Sequence, residues 1–483
     1  MTNIRLNELK GISIRQPASL PLVLAAGVLF FLSSASAAAE DWPWFLGPRH
    51  TGVSSETDLQ PDFSKGAPEV IWKQRVGTGY SAPSVLGEVL VIHHREGDEE
   101  IVSCRKVADG SEVWKYSYPT EYSDPYGYNN GPRCSPVLTA TRCMTLGAEG
   151  MLTCVSMTDG SLIWQHELKK EFTLPEWFFG VGCSPILDGN RLIVLVGGQP
   201  NSGVVAFNVE DGKVLWQSVG RDTWQGTDTG RGSPFEWSDD EMVISYASPI
   251  ISEIHGQRHL LCFVRQGLVS LDPETGAENF HFWFRPTVHE SVNAAVPIVV
   301  DDTIFLSAAY QLGSVLLKVA PDGKSVSTVW RDRSNMLAHW STPICVDGHI
   351  YGFTGRHENE GELRCIRLSD GKVIWKTDGY GGQLEDLARD RATGRIVETK
   401  TGKEVPYPFY GRGSLTQLGD RFVALGERGT LSVVKVNPEK YEELGRVTFN
   451  EIQYPAWTAP VISNGRMYLR SEDWLMCLNL RRQ

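Results

Sequence analysis

No apolar stretch in this chain is long enough to cross a membrane as a helix, which takes ~20 residues; near the N-terminus the apolar run covers only residues 20–32. Long runs of like charge are missing too, since 46 Lys and Arg are interspersed with 58 Asp and Glu for a net charge of −12. A field of that sign opposes a nucleic-acid backbone and excludes nucleic acid as a partner. There is no Cys-x-x-Cys pair and no Cys-x-x-Cys-His site, which excludes a thioredoxin-like dithiol and an attached c-type haem. Nine cysteines is an odd number, so at least one stays unpaired or pairs between chains. Most stand singly inside apolar runs, as in "LTCVSM" and "LLCFVR", and read as small buried strand residues.

What is present begins with an export signature. Arg5, Lys10 and Arg15 precede the apolar run, and "SSASAAAE" follows it with small residues of the kind cleaved after export. Residues 1–39 are therefore expected to be a signal peptide, with no cysteine near the cleavage region to carry a lipid. The mature chain is expected in the periplasm or outside the cell.

Two phrases then recur along the chain. "DGSEVW", "DGSLIW", "DGKVLW" and "DGKVIW" each place tryptophan four residues after glycine, at Trp114, Trp164, Trp216 and Trp375, while Phe280 follows "DPETG" and Trp330 follows Gly323 at longer range. Out of step with them, a small residue two places before proline recurs at Pro83, Pro136, Pro185, Pro249, Pro297, Pro343 and Pro460, and "GSLTQL" gives an eighth copy with Leu415 in the proline position. Repeats of this size without helical periodicity predict blades of a β array. Each unit reads as four strands, with an Asp-Gly turn before the last.

Proline removes a ladder donor and is tolerated mainly at a sheet edge, so the prolines mark the innermost strand of each blade. Ser81, Cys134, Cys183, Ala247, Ala295, Ser341, Gly413 and Thr458 precede them as a layer of small residues converging on one axis. Blades splay apart toward the rim, and the tryptophans on the outer strands are placed to fill the widening gap. The last unit lacks an outer strand, and "EVIWKQRVG" near the start offers one at Trp72 with no strands before it. The expected fold is all-β: an eight-bladed β-propeller of four-stranded antiparallel blades, residues 65–483, closed by an N-terminal strand that completes the last blade and preceded by a lead segment, residues 40–64. Cys134 and Cys183 fall at equivalent places of adjacent blades, and whether they bridge depends on their separation.

The repeated Asp-Gly-x-x-x-Trp phrase with its small-x-Pro opening resembles the pyrroloquinoline quinone (PQQ) repeat family of quinoprotein alcohol dehydrogenase-like propellers, over nearly the whole mature chain. The resemblance implies that the tryptophan phrase docks one blade on the next and that any cofactor sits near the axis on other residues. It extends to quinone-dependent dehydrogenases and to non-enzymatic members such as BamB, an outer-membrane assembly propeller. The dehydrogenases commonly carry a disulfide between adjacent cysteines and a carboxylate with an amide for calcium; here Cys104 follows Ser103 and no such set matches. The lead "DWPWFLGPRHTGVS" is similar to that of exported PQQ-like propellers.

Function in a propeller belongs to the loops at the channel mouth. Long aromatic connections, "TEYSDPYGYNNGPR", "FTLPEWFFGVG", "RDTWQGTDTGRGSPFEW" and "YPFYGRG", share that face. Three places before the proline position stand Tyr80, Arg133, Tyr246, Trp340, Arg412 and Trp457, with Gly182 and Ala294 filling the ring. These six residues, with Asn130 beside Arg133, are the candidate ligand-binding set; His289 and Glu290 are weaker candidates. The guanidiniums and flat rings could hold an anionic or planar ligand or a peptide. The competing structural role is that the arginines pair with local carboxylates such as Asp124. Residues 379–412 read as an insertion with a short helical phrase and a hairpin. The favoured reading is an exported, monomeric, non-catalytic propeller that binds a protein or glycan partner, with no cofactor, metal or catalytic residue. The alternative is a PQQ- and calcium-dependent alcohol or sugar dehydrogenase.

Overall fold

The computed structural model describes residues 40–481 except 58, 60, 176–178, 244, 381–382 and 406. The expected signal peptide lies outside the described residues. Proline decides where each blade begins: the innermost strands start at Ser84, Val137, Ile186, Ile250, Ile298, Ile344 and Val461, in every case the residue after the predicted proline. A ring nitrogen without a proton can neither join a ladder nor adopt strand geometry freely, so pairing starts one residue later. In the first blade the order is Ser84–Leu86, Val89–Glu96, Glu99–Lys106 and Glu112–Pro119, each antiparallel to the next. The same inner-to-outer order repeats around the ring, giving the eight blades expected.

Two departures from strict repetition involve strands near the N-terminus, one in the lead and one just after it. Val70–Arg75 pairs antiparallel with Trp474–Asn479 and supplies the missing outer strand of the last blade, with Trp72 opposite Cys477, as expected. In the seventh blade, where Leu415 replaces proline, the inner strand Gly413–Leu418 starts three residues earlier than in its sisters. Its free edge takes a fifth strand, Val53–Ser54, in parallel, and the Gln417 N–H donates to the Gly52 carbonyl at 2.8 Å. Before these two points the lead crosses the far end of the channel. Trp42 exchanges two backbone bonds with Val85, the Leu138 N–H donates to the Pro43 carbonyl, and Phe45 and Leu46 form the floor of the axial cavity. The insertion holds a short 3-10 turn, Leu384–Asp386, and a hairpin of Leu387–Arg389 with Ile396–Glu398.

The repeated phrase is a docking device. Asp109 accepts a hydrogen bond from the Ser111 N–H at 2.9 Å, and Asp159, Asp211, Asp322 and Asp370 do the same two residues on. The turn is thus wider than a two-residue hairpin, because its glycine must lie under the neighbouring blade. Gly160 has φ +73°, and a Cβ there would come within 2.6 Å of the Trp114 ring of the preceding blade. Gly110, Gly212, Gly276 and Gly371 sit likewise under Trp72, Trp164, Trp216 and Trp330. Each outer strand also bulges next to its tryptophan or equivalent, as between Leu162 and Trp164, which aims the indole sideways at the next blade. The indole N–H then donates across the gap: Trp72 to Val107, Trp114 to Met157, Trp164 to Val209, Trp330 to Leu368 and Trp375 to Asn437, at 2.7–2.9 Å. Where Phe280 stands instead, His255 Nε2 reaches the Val319 carbonyl at 3.2 Å.

Strands stacked blade against blade bury both faces, so the core is split into slabs, one in each gap. The slab between blades two and three joins Met144, Leu152 and Trp164 to Leu192, Val205 and Phe207. The cysteines lie in or beside these slabs. All nine are free, and Cys134 and Cys183 are not bridged: the Cys134 thiol donates to the Cys183 carbonyl at 3.2 Å. Replacing Trp114 with alanine is expected to cost about 3–5 kcal/mol, the usual loss for emptying a packed aromatic site; equilibrium unfolding in urea measures it, and Val113→Ala, at a side chain 46% exposed on the same strand, should cost well under half as much.

Candidate functional site

The small-residue layer and the ring three places before the proline position meet on the axis. Tyr80, Arg133, Gly182, Tyr246, Ala294, Trp340 and Trp457 line an axial cavity of about 180 Å³. Arg412 joins most of them in a wider space of about 310 Å³ at the mouth. Trp457 is the hub of the aromatic set, with ring centroids 5.0 Å from Tyr80, 5.9 Å from Tyr128, 6.0 Å from Tyr454 and 6.1 Å from Trp340.

Both ring arginines are held inside the protein. Arg133 Nη2 lies 2.5 Å from Asp124 Oδ2, a carboxylate with no exposed surface, and donates also to the Asn129 and Gly131 carbonyls. Arg412 makes a forked pair with Glu427, Nη2 to Oε2 at 2.8 Å and Nε to Oε1 at 3.2 Å. Glu427, also without exposed surface, further accepts from the Arg412 N–H at 2.7 Å and Trp457 Nε1 at 3.0 Å. Burial disfavours the charge on Arg412, but the bonds to Glu427 outweigh it and raise its pKa. The guanidinium faces cover rings, with Arg412 4.9 Å above Trp457 and Arg133 6.0 Å from Tyr80. The arginines therefore set the posture of the aromatic floor.

Asn130 is not among the residues lining the mouth. Its Oδ1 accepts from the Asp124 N–H at 2.8 Å and so shapes the loop that presents Asp124 to Arg133. Glu290 lines the mouth, whereas His289 lines a separate surface depression. Sequence reasoning missed Glu427, fifteen residues past Arg412 and across a strand turn, and the mouth residues Tyr310, His339 and Arg356, which come from the ends of other strands. The long aromatic loops did signal Tyr126, Tyr128 and Phe179, whose rings pack together, Tyr126 and Phe179 at 4.9 Å.

A ring of eight sheets locked by indoles, with a blind aromatic mouth, has counterparts among known proteins. The family model described as outer membrane protein assembly factor BamB matches residues 98–377. The chain belongs to the PQQ-like β-propeller family. Among solved PQQ-like propellers, BamB from Moraxella catarrhalis is 13% identical with a TM-score of 0.55, covering 86% of this chain and 100% of that one. Quinohemoprotein alcohol dehydrogenase from Comamonas testosteroni is 12% identical with a TM-score of 0.58, covering 93% and 82%. At such identities the likeness is one of fold. No curated protein matches the chain.

Within this PQQ-like frame the two ring arginines are neutralised by Asp124 and Glu427, while Arg356, also at the mouth, has no ion pair among the described residues. His339, its Nε2 3.1 Å from the Tyr310 hydroxyl, is lowered to a pKa of about 3 by burial and by the charges of Arg412 and Arg356. His93 and His94 are lowered to about 3, and His50 to about 4, burial being the first cause in each. Below the ordinary value of 6.5 the unfolded chain takes up protons that these folded histidines refuse, so their contribution is complete above pH 6.5 and is lost as pH falls. At a pH of about 5 each should remove on the order of 2 kcal/mol, and thermal melts between neutral and mildly acidic pH are expected to show a steep loss that His339→Gln makes shallower. Arg412→Ala leaves Glu427 buried and unpaired and should cost about 3–5 kcal/mol; the double variant R412A/E427Q should recover part of that loss in urea unfolding.

Proposed function

We propose that this PQQ-like propeller is an exported, non-catalytic binding protein whose loop-covered mouth receives a segment of a protein partner. One observation carries the reading: Tyr126, Tyr128 and Tyr454 stand 45–49% exposed around the half-buried Trp457, on a floor whose arginines are already paired. Large rigid rings with polar tips, held in place before binding, are the usual anchors of protein recognition. The positively charged, apolar and small-residue stretches at the N-terminus support export to the periplasm or beyond. The solved BamB structure, in the same family, lends support through a name that denotes an assembly factor.

The redox alternative finds less support in the donors available. Among the described residues there is no group of three or more His, Cys, Asp or Glu side chains arranged to hold a metal ion. Of the carboxylates beside the mouth, Asp124 and Glu427 are occupied by Arg133 and Arg412 and Glu290 is exposed, and no two cysteines are adjacent in sequence. These donors support the binding reading over a calcium-bound quinone.

The test places a photo-crosslinking amino acid at Tyr128 and, as a control, at Val329 on the outer rim, in the native host. Discrete protein adducts are expected from position 128 alone, and Tyr454→Ala should weaken them. Dye-linked oxidation of an alcohol or sugar panel after adding PQQ and calcium would overturn the reading, as would identical adducts from both positions.

A further inference from the structure

A second concavity lies off the axis, where the outer parts of blades four, five and six meet beside the mouth. It is a cleft of about 1100 Å³. Its walls carry Arg231, Arg285, Arg331, Arg333, Arg356 and Arg364, against only two carboxylates, Asp228 and Glu360. In a chain where acidic residues outnumber basic ones 58 to 46, this is a local reversal of charge.

The carboxylates do little to offset it. Asp228 accepts the Gly230 N–H, and Glu360 accepts the Arg356 and His357 N–H groups, so both are turned toward backbone. Arg285 pairs with Glu241 and Arg364 with Glu362. Arg231, Arg331, Arg333 and Arg356 have no ion pair among the described residues. Arg331 is held below the ordinary arginine range by burial and by the charges of Arg333 and Arg231, so these guanidiniums feel one another without a counter-charge between them. Arg331 lies 5.1 Å over Phe284 and Arg356 4.6 Å over Tyr310, packings that keep them extended along the wall.

We propose that this cleft is a binding site for an anionic oligosaccharide, one bearing carboxylates or sulfates. The planar donors of arginine match both groups in forked geometry. Between the arginines the lining mixes neutral polar side chains, among them Thr287, Gln311 and Thr328, with apolar ones, among them Phe282 and Trp283, so both the hydroxyls and the C–H faces of a sugar ring find partners. A long, densely charged polymer would run out of the cleft onto an acidic surface, so a short or sparsely charged chain fits best. The proposal does not rest on the reading of the mouth, which it adjoins through Tyr310, Arg356 and His357.

Calorimetric titration of the purified full-length protein tests it with a heparin-derived hexasaccharide, a galacturonate hexamer, neutral maltohexaose and a hexaglutamate peptide. At least one anionic sugar should bind, maltohexaose should not, and added salt should weaken the binding. R331A/R333A, at two exposed side chains, should weaken it at least about tenfold with an unchanged melting temperature, and Tyr128→Ala should leave it intact. Binding that survives R331A/R333A, absence of binding by both anionic sugars, or hexaglutamate binding as tightly as the sugars would each overturn the assignment, the last in favour of an acidic peptide.

Discussion

The structure hangs on one contact repeated around a circle: an indole laid on the turn of the next blade, against its glycine at five of the six tryptophans, with the N–H given to a nearby carbonyl at five. An isolated four-stranded sheet would leave two apolar faces in water. The contact fixes the angle at which neighbouring sheets meet, and the slabs of aliphatic side chains then fill the gap between them. The turn glycine, the bulge and the tryptophan are three parts of one joint, which is why they travel together in the sequence. Where the joint changes, as at Phe280, a different side chain takes over the carbonyl.

Much of this was legible in the residues because two of the joint's parts are chemically unusual. Proline marked each inner edge by the donor it lacks, and the first paired residue follows it in all seven blades that carry one. Tryptophan marked six of the eight outer strands by its bulk, and the lone Trp72 strand announced ring closure. What escaped was set by tertiary geometry. The bulge leaves no residue signature beyond an aliphatic side chain turned to solvent, and the two-residue strand Val53–Ser54 is too short for any pattern. The six arginines of the cleft come from segments spread between residues 231 and 364, so an acidic average conceals them.

The site was legible in position and misleading in chemistry. Counting back from the prolines located the mouth, since every blade brings the same place in its repeat to the axis. The competing structural role for the arginines did anticipate the pairing of Arg133 with Asp124, but the count could not reveal Glu427 as the partner of Arg412, because that pairing depends on how loops fold over strand ends. The charge of the two ring arginines is consequently internal, and aromatic rings face outward beside them. Most of the unpaired arginines lie farther out, with Arg356 shared between the mouth and the cleft.

The lead segment crossing the far end of the channel joins the beginning of the chain to its end. Val53–Ser54 lies on the seventh blade and Val70–Arg75 on the eighth, so strands made among the first find partners only among the last. Closure is therefore a contact of very high sequence separation, the kind that forms late and slowly. Until it forms, the chain is an open fan whose last wedge lacks its outer strand and leaves an apolar face uncovered.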